Sequence, residues 1–455
     1  MAWPRSDATL GAFFSSEAMA GIFSDPARIQ AMLDVEAALA RAQAACGLVP
    51  QHAAAEIGNA AQARKFDIEK LGREALKGGN LAIPLVKELT ALVAANDKDA
   101  ARWVHWGATS QDIIDTALVL QMRAGFTAIA ESIGRIGDRL AALAETHAET
   151  PIAARTLMQQ AIPTSLGLKI AGWLAALGEA QHSLAACRTK ISVLQFGGAA
   201  GNLASLAPDG IRIAEALAKD LGLALPAVPW HGQRARIAEM GCALAVLLGS
   251  LAKMAGDLAL MAQTEVGEFS EPSGDGRGGS STLPHKANPV ACARIIAAAK
   301  RAPGLAATLL GAMDDEHERG LGAWHAEWET LPELFRLASA ALEAAALVAE
   351  HGEFHARRMR ANLDLTAGLV FAEAASIALG RKIGKSAAHK LIERAARKAV
   401  AEKRPLRECI EADQEIAPYF DKPALDTLFT PENQLGSAPE LTRRAVAAWR
   451  GRRQS

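Results

Sequence analysis

Residues 278–290, GGSSTLPHKANPV, concentrate side chains able to do chemistry. Two glycines free the backbone. Behind them stand two hydroxyls (Ser280, Ser281), one cation (Lys286), one amide (Asn288) and a proline stop (Pro289). Carried on a flexible loop, these groups suit a lid that closes over an anionic substrate and brings a proton-transfer group with it. The blander reading is a Gly/Ser linker with a chance lysine, because loop composition is only a cue.

Other polar patches lie far away in the chain. WGATSQDIIDTA (106–117) puts Thr109, Ser110 and Gln111 at the start of a helix, where hydroxyls and free N–H groups make an anion site. The same residues also read as an N-cap followed by Asp112 and Asp115 in the first turn. ARTLMQQAIPTS (154–165) offers Arg155, Thr156, Gln159 and Thr164, or simply a loop-to-helix junction. HGQRAR (231–236) supplies His231, Arg234 and Arg236; two arginines can grip carboxylates bidentately, or form a surface cation pair. EHERGLGAWHAEWE (316–329) holds Arg319 and two tryptophans, Trp324 and Trp328, one helical turn apart, as packing residues are.

The elements that must position these patches are helices. Ala and Leu dominate, aromatics are 5%, and strand-like alternation is hard to find. Val119, Met122, Phe126, Ile129, Ile133, Ile136, Leu140 and Leu143 recur at steps of three and four. So do Ile237, Met240, Leu244, Leu247, Leu251, Met254, Leu258 and Met261. Both seams keep a 3.5-residue period, as long bundle helices do. Such helices need partners along their length, and copies of the same chain are the simplest partners, so an oligomer is expected. Breakers at 77–80, 221–233 and 269–281, and a change of pattern after 351–354, suggest three helical parts: 1–105, a long central bundle at 106–350, and 351–455. The fold class expected is all-α.

Composition excludes several functions. With 455 residues and a net charge of −1, the chain has no general attraction for nucleic acid or an anionic membrane. The five cysteines form no CxxC pair and read as reduced, buried small hydrophobes of a cytosolic protein. The eleven histidines show no HExxH motif and only one HxxxH spacing, His351 and His355, which stands alone, so no metal site is expected. The start lacks a signal-peptide pattern, no uncharged apolar run reaches membrane length, and the basic tail reads as a solvated helix end.

In this order, the patches resemble the fumarase/aspartase superfamily, most closely its adenylosuccinate-lyase-like branch. GGSSTLPHKANP is similar to the signature GSSxMPxKxNP, with Leu283 in place of Met. WGATSQDIIDTA is similar to GxTSxDxxDTA, and RTLMQQAIPTS to RTHxQxAxPxT. The resemblance covers nearly the whole chain. It implies an all-α homotetramer whose active sites are shared between subunits. By position it makes Ser280 the group that exchanges the Cα proton. Lys286 and Asn288 hold the substrate, and Thr109 and Ser110 take a carboxylate.

Two departures carry more information than the matches. Leu157 stands where the family has its catalytic His, and Ala293 stands where it often has the Glu that orients that His. Loss of both suggests chemistry that does not need the dyad. Expelling an amine or hydroxide calls for a general acid. A carboxylate, with a pKa of about 4, leaves as a stable anion unaided. In reverse, an ionised carboxylate adds to a conjugated double bond of its own molecule, and only the resulting carbanion must be stabilised and protonated. That is an intramolecular lactonisation. Residues 79–89, 104–121, 194–204 and 316–333 resemble the superfamily branch that performs one, the bacterial 3-carboxy-cis,cis-muconate cycloisomerases. This implies a tricarboxylate substrate and neither a metal nor an organic cofactor. Lys286, Arg155, Arg234, Arg236 and Arg319 are then the candidate counter-charges, with His105 and His231 as donors and Gln159 beside them. The rival readings are a 3-sulfomuconate cycloisomerase, an adenylosuccinate-type lyase and a non-catalytic structural protein.

Overall fold

The computed structural model describes residues 9–272, 278, 279, 282, 283 and 286–454; Ser280 and Ser281 lie outside them. The fold is all-α. The helices that matter for the site are α1 (Asp25–Ala45), α2 (Ser110–Thr146), α3 (Leu166–Ile191), α4 (Ala235–Met261), α5 (Val290–Gly311), α6 (Ala323–His351), α7 (Ala356–Leu363), α8 (Ala372–Ile383), α9 (Lys385–Glu402) and α10 (Ala438–Gln454). At 1.5 Å per residue, α2 runs about 55 Å.

The seams explain why the long helices hold. Every residue named in the α2 seam, Val119 to Leu143, is buried, and so is every residue of the α4 seam, Ile237 to Met261. As expected, charges interrupt every apolar run short of membrane length, yet α2 and α4 are both long and apolar enough to cross a membrane by length and composition. Their hydropathy comes largely from these seams, with only a few charges between.

The described residues divide into two compact units. One lies within Met1–Ser132, Ala180–Gly249 and Arg294–Glu343, the other within Ile133–Glu179, Ser250–Ala293 and Ala344–Ser455. In the first, Ile29, Met32, Leu33 and Val35 of α1 share a core with Leu85, Leu89, Val93 and Ile113. In the second, Leu379 of α8 and Ile392 and Ala395 of α9 share a core with Leu406, Ile410 and Leu425.

Three features differ from the sequence reading. Residues 151–165 are a hairpin and not a loop: β1 (Pro151–Thr156) pairs antiparallel with β2 (Gln159–Ser165). Its two-residue turn is Leu157 and Met158, both at positive φ (49° and 66°). A second, minimal pair joins β3 (Phe269–Ser270) to β4 (Glu353–Phe354). Finally, the basic tail is docked. Trp449 of α10 is buried and donates to Asp138 at 2.8 Å, and a side chain at Gly137 would collide with its ring. Arg450 pairs bidentately with Glu145 (2.8 and 2.7 Å).

Candidate functional site

In the first unit the structure brings three of the patches together at the N-terminus of α2. Asp112, in the first turn, takes the Thr109 N–H at 3.0 Å, the capping-box geometry that fixes the helix start. Its carboxylate also accepts from the backbone N–H groups of Gly197 and Gly198 (2.9 Å each) and lies 2.8 Å from His231 Nε2. Glycine is required there: a side chain at Gly197 would strike Pro229, and Gly198 has φ +68°. Four polar partners make the burial of one carboxylate tolerable. Thr109 and Ser110 remain half-exposed at the helix end.

One helical turn further on, Asp115 meets Arg234. The arginine is only 1% exposed. Its Nη1 and Nη2 reach Asp115 at 2.7 and 3.1 Å, and its Nε reaches Glu327 at 2.9 Å. Nη2 also bonds Glu327, and Nη1 approaches the His231 carbonyl at 3.5 Å. Trp324 donates to Asp115 at 2.9 Å and packs edge-on against Trp328. The expectation that Arg234 is a counter-charge for substrate therefore gives way. All its N–H donors are engaged by protein oxygens, and the side chain is sealed from solvent. Burial pushes the Glu327 carboxyl up to about 7; Arg234 opposes this, while Asp115 and Asp315 add to it. Burial also raises the Asp315 carboxyl, against the lowering effects of Arg234 and of the Trp324 backbone N–H.

The remaining candidates in this unit are less committed. His105, at φ +58°, sits 2.6 Å from the buried Glu36. Burial alone would lower its pKa, but Glu36 and Asp112 outweigh this and raise it. Arg236 is half-buried on the face of Trp230, 4.9 Å from the ring centre. Burial and the neighbouring Arg234 lower its pKa. Arg319 is half-exposed and donates to the Ala199 carbonyl.

The second unit holds the other two patches. Arg155 on β1 makes a bidentate pair with Glu268 (2.9 and 2.7 Å), which is fully buried and also takes Asn362 Nδ2 at 2.7 Å. Arg155 is thus neutralised by a protein carboxylate and serves as a strut between the hairpin and β3. Gln159 is exposed beside the turn, where Leu157 is 97% exposed. Lys286 is exposed, and Asn288 Nδ2 donates to the Gly278 carbonyl at 3.1 Å.

Sequence reasoning missed the carboxylates. Asp112 and Asp115 read only as first-turn acids, Glu327 lies in the carboxylate-dense segment 316–329 without standing out from it, and Glu36 and Glu268 carried no signal. The one available hint was the three-residue spacing of Asp112 and Asp115, which puts both on one helix face.

The site can be set beside known proteins. A family model described as lyase matches residues 13–304, and one described as adenylosuccinate lyase C-terminus matches residues 368–445. This chain belongs to the fumarase/aspartase superfamily. Within that superfamily it is 50% identical to the 3-carboxy-cis,cis-muconate cycloisomerase of Pseudomonas aeruginosa, over 96% of this chain and 95% of that one. It is 49% identical to the protein of the same name from Bradyrhizobium diazoefficiens, over 96% and 97%. The crystal structure of 3-carboxy-cis,cis-muconate lactonizing enzyme from Pseudomonas putida superposes with a TM-score of 0.94 at 47% identity, covering 97% of this chain and 99% of that one.

Proposed function

We propose that this chain is an intramolecular lyase that converts 3-carboxy-cis,cis-muconate to 4-carboxymuconolactone. The observation that carries the reading is the empty dyad. Leu157 stands at an exposed hairpin tip and Ala293 in the first turn of α5, so neither of the two positions holds a leaving-group acid or its orienting partner. The relatives' names point the same way.

The chemistry follows from what remains. A substrate carboxylate, already ionised at neutral pH, forms a C–O bond to the conjugated alkene. The π electrons move to the carbon beside another carboxylate, giving an enediolate-like carbanion. Lys286 neutralises that charge, and Ser280 with Lys286 supplies the proton that completes the lactone. Thr109 and Ser110 at the N-terminus of α2 hold a substrate carboxylate, aided by the helix dipole. Asn288, Gln159, His105, Arg236 and Arg319 complete the binding set. Arg155 and Arg234, each paired with protein carboxylates, hold the scaffold of their own units. The leaving group in the reverse direction is a stable anion, so the reaction needs no metal or organic cofactor.

The finer reading is a cytoplasmic homotetramer with sites shared between subunits, built from helical parts at 1–105, 106–350 and 351–455. It works in protocatechuate catabolism. A tetramer is supported by half-exposed apolar residues such as Val246 and Leu260 on α4.

The test is an ultraviolet assay without added metal, following loss of the substrate's conjugated diene, with 3-sulfomuconate and adenylosuccinate run beside it. Rapid loss of the carboxylate substrate alone is the expected result. Preference for the sulfonate would name the other cycloisomerase, and cleavage of adenylosuccinate would refute the empty-dyad argument.

A further inference from the structure

The residues flanking 272–287 are fastened one after another. Glu268 binds Arg155 and Asn362, Phe269 and Ser270 pair with β4, and Ser270 Oγ lies 3.0 Å from His355 Nε2. Glu271 then reaches across to the far side of the loop. Its two carboxylate oxygens accept the backbone N–H groups of Ala291 (2.9 Å) and Cys292 (2.8 Å) in the first turn of α5.

That contact answers a local deficiency. The first turn of any helix has N–H groups with no partner inside the helix. Most helices satisfy them with a Ser, Thr, Asp or Asn just before the start. Here the preceding residue is Pro289, which has no side-chain acceptor, and the amide of Asn288 is committed to Gly278. A carboxylate borrowed from twenty residues earlier supplies both acceptors, and its charge complements the helix dipole. Burial and Glu271 together also hold the Cys292 thiol protonated, which keeps it out of the chemistry.

Asn288 makes a second, inner tie: its backbone N–H and side-chain amide both donate to the Gly278 carbonyl, at 2.8 and 3.1 Å. Lys286 is two residues from this tie, so its Cα stays within about 7 Å of Asn288. Fraying of the first turn of α5 would loosen one side of that tie and let Lys286 wander.

We propose that Glu271 is a positioning residue for the reaction: by capping α5 from across the loop, it fixes the backbone that presents Lys286 and Asn288. This rests on the proposed function for its catalytic half. The test compares Glu271→Ala and Glu271→Gln in the full chain, reading kcat and KM for 3-carboxy-cis,cis-muconate and hydrogen exchange at the Ala291 and Cys292 amides. In Glu271→Ala those two amides exchange at least about tenfold faster, the cost of losing their partner. The misplacement lowers kcat by roughly 10- to 100-fold, more than it changes KM. Glu271→Gln keeps one acceptor at the same reach and recovers most of kcat.

Unchanged exchange at the two amides overturns the anchoring. Faster exchange with wild-type kcat overturns the positioning role, and so does a glutamine variant as slow as the alanine one. Should Glu271→Ala fail to fold, Glu271→Gln decides alone: intermediate exchange with a modest loss of kcat supports the proposal, and wild-type values of both overturn it. A wild-type enzyme silent on the muconate refutes the proposed function, while the exchange measurement still decides whether Glu271 is the anchor.

Discussion

Arg234 and Lys286 are both cations in polar patches near the end of a long helix, and their letters in the sequence make them equivalent candidates. The structure separates them. Arg234 is sealed between Asp115 and Glu327, with every donor engaged. Lys286 stands exposed on a stretch tied at Asn288. A buried cation without partners would pay a desolvation cost that only bidentate carboxylates can offset. A cation meant for a substrate must keep its hydration until the substrate arrives. Pairing with a protein carboxylate therefore separates a structural charge from an available one, and Arg155, partly exposed but held by Glu268, falls on the structural side with Arg234.

The largest effect that sharpens this contrast concerns Arg234. Replacing it by methionine leaves Asp115 and Glu327 buried beside each other without a cation, at a cost of about 3–5 kcal/mol. Arg234→Met is expected to lose most of its stability in a urea titration, while Arg236→Met loses little. An Arg234→Met protein as stable as wild type, but with weakened substrate binding, would break the contrast and restore Arg234 as a substrate contact.

A smaller effect comes from Glu327. Its folded pKa of about 7 lies above the ordinary carboxyl value of 4.5, so between those values the folded protein binds the extra proton. The resulting stability is fully present below about pH 4.5 and is lost as pH rises through about 7. Urea midpoints at pH 5.5 and 8 should therefore differ more for wild type than for Glu327→Gln. Equal pH dependence in both would remove Glu327 as the titrating group.

How much was legible in the sequence follows the range of the interactions. The α2 and α4 seams repeat locally, and every seam position is buried, whereas Cys46, Cys187 and Cys242, read as buried from residue type alone, are partly exposed. The hairpin at 151–165 was hidden because two-residue turns with positive φ normally advertise themselves with Asn-Gly or Asp-Gly. Leu157 and Met158 adopt that backbone without the signature. The basic tail read as solvated because its arginines are visible, whereas its docking depends on one tryptophan, Trp449, and on Asp138, far away in the chain. In the site, the patches were visible as residue types at helix ends. Their partners were not, because Arg234 finds Asp115 and Glu327 across 119 and 93 residues, and no local pattern encodes such a meeting.

The most direct measurement is the turnover of Lys286→Met with 3-carboxy-cis,cis-muconate, paired with its melting temperature. If exposed Lys286 neutralises the developing charge and the carboxylate-paired arginines only hold the scaffold, turnover falls by at least about 10²-fold and the melting temperature does not move. Turnover near wild type, or a loss of activity matched by a loss of stability, would contradict that division of roles.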